Sequence, residues 1–131
     1  MPFVLIKVAG PALAPEQIKV LQTQTTALMA EVLRKKAELT AVLVEQAPIQ
    51  GWSVGANAVP VAAHIEATIT AGTNSEAEKA RFIAEAARML KTVLGANLPV
   101  ATYAVIQEIP AEAWGYDGLT QAERRYNAQP G

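Results

Sequence analysis

The sequence aligns on itself without a gap when it is shifted by 62 positions. Ala9-Gly10 falls on Ala71-Gly72, Glu16 on Glu78, Leu28 on Leu90, Thr40 on Thr102, Pro48 on Pro110 and Trp52 on Trp114. Identities are few, but each half reads strand, helix, strand, then a Pro…Trp turn. A chain built this way has little choice of architecture. The pattern predicts a single domain over 1–131 made of pseudo-repeats 2–60 and 64–118, with a C-terminal tail at 119–131.

Local signals support each element. Residues 3–9 form an apolar strand, and Pro15 suits a first helical turn. Ile18, Leu21, Thr25, Leu28 and Val32 then recur at helical spacing, and Thr40 to Val44 reads as a second strand. In the second half Ile65 to Thr70 is the strand and Thr73-Asn74-Ser75-Glu76 resembles a capping box. Ile83, Ala86, Leu90 and Val93 mark the next helix, Gly95 ends it, and residues 101–107 form the last long strand. Each half is then a βαβ unit with parallel strands. The fold class is α/β (α+β): a four-stranded sheet with two helices on one face. Strand alternation puts Val4 and Ile6 on one face and Phe3 and Leu5 on the other. A partly apolar face without helices predicts an oligomer.

Composition narrows the chemistry. A net charge of −1 gives no reason to expect nucleic acid or an anionic membrane as partner. There is no cysteine, so disulfides and thiolate metal sites are excluded. A single histidine, His64, argues against a histidine metal site or a catalytic triad. No signal-peptide pattern precedes the first strand and no apolar run approaches the ~20 residues of a membrane span. The reading is a soluble, cytoplasmic protein without a thiolate or histidine metal site.

Pro2 carries the functional reading. Met1 is followed by proline, a small second residue that normally allows removal of the initiator methionine. Proline would then present a free secondary amine. An α-amino group titrates near pH ~8 in model peptides, and an apolar site lowers that value by disfavouring the charged form. Such an amine is a general base near neutral pH. The alternative is an ordinary strand-initiating proline.

Pro2-Phe3 opening a βαβ unit that repeats, the segment Leu39-Thr40-Ala41-Val42-Leu43-Val44-Glu45, the turn Trp52-Ser53-Val54-Gly55 and the run Glu108-Ile109-Pro110…Trp114-Gly115 together resemble the tautomerase superfamily, which includes 4-oxalocrotonate tautomerase and macrophage migration inhibitory factor. The run Lys35 to Thr40 is similar to bacterial members of about this length. The resemblance covers residues 2 to about 118. It implies a tautomerase/MIF-like fold, a homotrimer, and an amino-terminal proline at the base of an apolar pocket near a subunit boundary. It further implies a cofactor-independent keto–enol tautomerase, an isomerase acting on a small 2-oxo acid or enol.

The same resemblance nominates further residues. Lys35 or Lys36, between the first helix and the second strand, takes the place of a pocket lysine that would bind a carboxylate or stabilise an enolate; the alternative is a solvated helix end. Tyr103 takes the place of a pocket tyrosine, or else stands at a trimer contact. Trp52 and Trp114 would wall the pocket, or else serve an interface. His64 aligns with Pro2 across the repeat and reads as structural. Two arginines with which short members hold a dicarboxylate are absent, since Ala41 and Leu13 stand at those positions. The arginines that follow the third strand in decarboxylase and dehalogenase branches are absent too. Both absences argue against a dicarboxylate or haloacrylate substrate. Arg124 and Arg125 lie in a polar tail whose ordinary reading is solvated surface; the alternative is that they reach a neighbouring subunit's pocket. Two alternatives stand beside the tautomerase: a proline-dependent decarboxylase or hydratase, and a non-catalytic trimeric binding protein.

Overall fold

Two strand–helix–strand units lie side by side in one mixed sheet. A computed structural model describes residues 2–128; Met1, and with it the expectation of its removal, lies outside the described residues, as do residues 129–131. The first unit comprises β1 (Phe3–Ala9), α1 (Pro15–Glu31) and β2 (Ala41–Ala47), followed by a two-stranded hairpin of β3 (Ser53–Val54) and β4 (Asn57–Ala58). The second comprises β5 (Ala62–Thr70), α2 (Glu76–Leu94) and β6 (Tyr103–Ile109), with its own hairpin of β7 (Gly115–Tyr116) and β8 (Leu119–Thr120). A third helix, α3 (Gln121–Ala128), ends the described chain.

The sheet order is β2-β1-β5-β6. Within each unit the strands are parallel, Phe3 facing Ala41 and His64 facing Tyr103. The units join antiparallel through β1 and β5, where Phe3 faces Thr68 and Lys7 faces His64. This register puts the start of β1 and the end of β5 at one edge of the sheet. The start of β6 and the ends of β1 and β2 lie at the other.

Alternation along the strands sorts the side chains. Val4, Ile6, Val8, Ala63, Ile65, Ala67 and Ile69 are buried beneath the helices with Leu21, Met29, Phe82, Ala86 and Leu90. Phe82 is fully buried; its truncation to alanine would cost about 3–5 kcal/mol. The helical stripe of α2 therefore centres on Phe82, while Ile83 is 41% exposed. On the other face stand Phe3, Leu5, Leu43 and Tyr103, mixed with a Lys7–Glu45 ion pair at 3.8 Å and a His64–Glu66 contact at 3.5 Å. That face is half apolar and carries no helix.

The helix starts follow local chemistry. Pro15 opens α1, and the Ala14 N–H donates to the Gln17 side chain at 2.8 Å. At α2 the capping box is Ser75 with Glu78, two residues beyond the Thr73–Glu76 reading. The Glu78 N–H donates to Ser75 Oγ at 3.1 Å and the Ser75 N–H to Glu78 Oε1 at 2.8 Å. Thr73 is occupied otherwise, its hydroxyl donating to the Thr70 carbonyl at 2.7 Å. Gly95, at φ 107°, closes α2 in a conformation that favours glycine.

Candidate functional site

Pro2 is fully buried, and its carbonyl accepts the Ala41 N–H at 3.2 Å. It precedes the Phe3–Ala41 and Phe3–Thr68 pairs by one residue, so it stands between Thr40 and Ile69 at the edge of the sheet. Their chain neighbours, Leu39 and Thr70, line a cleft of about 300 Å³ at that edge.

Three segments build this cleft. The loop after α1 brings Arg34, Lys35 and Lys36. The end of β5 brings Thr70 and Thr73. The second hairpin and α3 bring Tyr116, Gln121, Arg124 and Arg125. Five of the lining residues are cationic, and none carries a carboxylate.

The loop after α1 is held in place by its own polar contacts. Arg34 takes φ 59°, a left-handed turn away from the helix axis. Its guanidinium donates to Glu78 Oε2 at 2.7 Å, to Glu78 Oε1 at 3.3 Å and to the Thr73 carbonyl at 3.2 Å. Asn74 Nδ2 spans the same gap, donating to the Leu33 carbonyl at 2.9 Å and to Glu78 Oε1 at 3.2 Å. The Arg34 guanidinium and the hydrogen bonds from Ser75 and Asn74 hold the Glu78 carboxyl down at about 2. Arg34 is thus committed to Glu78. Lys35 Nζ donates to the Thr73 hydroxyl at 2.8 Å. Burial pushes the Lys35 ammonium below its usual value, and the neighbouring Arg34 charge adds to that.

The other wall comes from α3, an element the polar tail did not suggest. Thr120 accepts the Glu123 N–H at 2.9 Å, and Glu123 Oε2 accepts the Thr120 N–H at 3.3 Å. The signal was present as Thr120-x-x-Glu123, a capping box. The Gln121 N–H also donates to the Trp114 carbonyl at 2.9 Å, tying α3 to the hairpin. Arg124 stacks over the Tyr116 ring at 3.7 Å and donates from Nη2 to the Tyr116 carbonyl at 2.7 Å. Two buried donors, Arg124 Nε and Gln121 Nε2, find no acceptor among the described residues.

The nominated residues divide by sheet edge. Lys35 and Lys36 line the cleft. Trp114 lies at the same edge, its indole N–H donating to Thr70 Oγ1 at 3.1 Å. Tyr103 pairs with His64, and His64 with Lys7, five residues along β1 from Pro2. That is about 17 Å away along the strand. Tyr103 is 66% exposed there. Trp52 follows the end of β2, also away from Pro2. Within one chain, neither Tyr103 nor Trp52 joins the cleft. Arg34, Arg124 and Arg125 do, although Arg34 is taken up by Glu78.

A second recess of about 370 Å³ lies between α1 and α2, lined by Gln24, Leu28, Glu85, Arg88 and Met89. It pairs charges of both signs and sits on the helical layer, away from Pro2.

No family model and no curated protein matches the chain. Solved structures do. A fused 4-OT (R7), a wild-type asymmetric trimer, is 23% identical with a TM-score of 0.79, over 92% of this chain and 98% of that one. Pt0534 inactivated by 2-oxo-3-pentynoate is 13% identical with a TM-score of 0.82, over 93% and 98%. A macrophage migration inhibitory factor-like protein from Entamoeba histolytica is 20% identical with a TM-score of 0.72, over 91% and 97%. The chain has the tautomerase-superfamily fold. No helix among the described residues is long and apolar enough to cross a membrane.

Proposed function

We propose that the protein is a cofactor-independent keto–enol tautomerase for a small 2-oxo acid or its enol, with Pro2 as general base once Met1 is removed. The observation that carries this is the cationic cleft at the sheet edge where β1 starts, lined by Leu39 and Thr70, the chain neighbours of the two residues that flank Pro2. Burial of Pro2 favours a neutral amine. That amine takes a proton from one position of the substrate and returns it to another while the π electrons shift between them. No net proton or electron enters, so no cofactor is required. Lys35, Lys36, Arg124 and Arg125 hold the substrate carboxylate and oppose the charge that builds on the enolate oxygen. Trp114 and Leu39 supply apolar surface beside them. The enzyme class is an isomerase.

A trimer is part of this reading. The fused 4-OT neighbours are trimers, and the helix-free sheet face with Phe3, Leu5 and Leu43 offers an apolar surface to a second copy. In such an assembly Tyr103 and Trp52 would reach the cleft of a neighbouring subunit. Sedimentation or light scattering should then give three times the chain mass; a monomer would leave both residues without a role.

The test is cheap. Intact-mass spectrometry of natively expressed protein should find Met1 absent. Pro2→Ala should slow ketonisation of enols in a panel of phenylpyruvate, hydroxyphenylpyruvate and 2-hydroxymuconate by about 10²–10⁴-fold. Full activity in Pro2→Ala would end the proposal.

A further inference from the structure

We propose that Thr73 is a positioning residue: its hydroxyl holds the Lys35 ammonium against the end of β5, and so makes Lys35 rather than Lys36 the cation that opposes charge on the enolate oxygen. The inference rests on the site proposed above and assigns one role within it. A lysine is a point charge on a flexible stem with three rotatable donors. Left free, it loses rotamer freedom on reaching a substrate. Lys35 is not free. It is half-buried, and its Nζ donates to Thr73 Oγ1 at 2.8 Å. Lys36 beside it is exposed.

The geometry leaves the Thr73 hydroxyl one part to play. A hydroxyl has one proton and two lone pairs. Thr73 gives its proton to the Thr70 carbonyl at 2.7 Å, with a longer contact to Asn74 Oδ1 at 3.3 Å. What it offers Lys35 is therefore a lone pair. The carboxylates that act on Lys35 are already engaged, Glu78 with Arg34 at 2.7 Å and Glu108 with Lys79 at 2.9 Å. The turn that carries Thr73 is itself braced. The Ala71 N–H donates to the Ile109 carbonyl at 2.9 Å, and the Trp114 indole N–H to Thr70 Oγ1 at 3.1 Å. Helix α2 does not use the Thr73 hydroxyl, because Ser75 caps it. The first half of the sheet makes the same point by contrast. At the 62-residue shift Pro11 stands for Thr73 and Asn97 for Lys35, so the hydroxyl and the ammonium are missing together.

Two measurements test this. NMR relaxation of the lysine ε-carbons should give Lys35 a higher order parameter than Lys36 in the wild type. Thr73→Val should bring Lys35 down to the Lys36 value, and Thr73→Ser should not. In ketonisation of phenylpyruvate enol, Thr73→Val should lower kcat about 10-fold with a smaller change in KM, because the held charge acts on the enolate as it forms. Thr73→Ser should retain most of the rate. In a Lys35→Gln background, Thr73→Val should add no further loss. A loss of the same size there would mean that Thr73 only holds the turn, and would overturn the proposal. So would an order parameter of Lys35 unchanged by Thr73→Val, or an unchanged kcat. Thr73→Ala repeats both readings if Thr73→Val does not fold. The relaxation measurement needs no turnover: full activity in Pro2→Ala would end the tautomerase reading and leave the Thr73–Lys35 anchor to be decided by relaxation alone.

Discussion

The two halves share a backbone plan and differ where it matters. The cleft near Pro2 has a counterpart related to it by the 62-residue shift, at the far edge of the sheet. There Val8 stands for Thr70, Pro11 for Thr73, and Ala96, Asn97 and Leu98 for Arg34, Lys35 and Lys36. That counterpart is a small recess of about 90 Å³ lined by Val8, Pro11, Leu13, Val61 and Leu94, with no charge in its lining. The hairpins diverge in parallel. After the first hairpin the chain passes through Pro60 into β5; after the second it turns into α3 and brings two arginines back over the edge. One repeat unit was filled in as core, and the other was opened and charged.

That contrast can be broken most severely at Lys35. Lys35→Gln removes a charge that bonds Thr73 beside the cleft, and kcat/KM for the oxo acid should fall about 10–100-fold, as expected for a charged hydrogen bond. Unchanged steady-state kinetics would place Lys35 on the surface and erase the difference between the two edges.

Gly115 sharpens the contrast in the hairpins. A Cβ at Gly115 would collide with the Leu119 carbonyl, whereas Ser53 stands at the equivalent position in the first hairpin. Gly115→Ala should destabilise the protein by about 1–3 kcal/mol through overpacking, and denaturant unfolding measures it. The same variant should weaken oxo-acid binding, because β7 carries Tyr116 and Tyr116 seats Arg124. Wild-type stability with wild-type binding would detach the hairpin from the site.

Glu78 offers a smaller effect with a fixed sign. Its carboxyl is held at about 2 against an ordinary 4.5, so its contribution to stability is complete above pH 4.5 and is lost as pH falls towards 2. The stability difference between wild type and Glu78→Gln should therefore shrink across that window. A difference independent of pH would mean that the Arg34–Glu78 pair does not fix the loop after α1. The smallest effect belongs to Asn97→Lys, which places a charge at the position equivalent to Lys35. It should leave kcat/KM unchanged; a comparable gain or loss would mean that both edges take part.

The fold was legible because its signals are periodic and repeated. β1 matched its predicted span, and α2 ended at Gly95 as expected. The other strands ran a few residues past or short of their readings. Their ends depend on pairing with a neighbour: Ala62 enters β5 because it faces Ala9. Ile83 misled because a helix with apolar residues on adjacent positions offers two overlapping stripes, and packing chose Phe82. The candidate site was legible in part. Lys35, Lys36 and Trp114 stand at the edge where β1 starts. Arg124 and Arg125 look like solvated tail in the sequence because a charged eight-residue helix has no apolar stripe. It is held by a Thr120–Glu123 cap and by Tyr116, contacts that exist only once the second hairpin closes.

The central claim is that one edge of the sheet works through a free proline amine. The direct measurement compares ketonisation by protein with a native amino terminus and by the same protein carrying a short N-terminal extension that turns the amine into an amide. The expected result is a fall of at least about 10²-fold in kcat, with the fold retained by circular dichroism. Equal rates from the two proteins would contradict it, because an acylated proline nitrogen cannot act as a base.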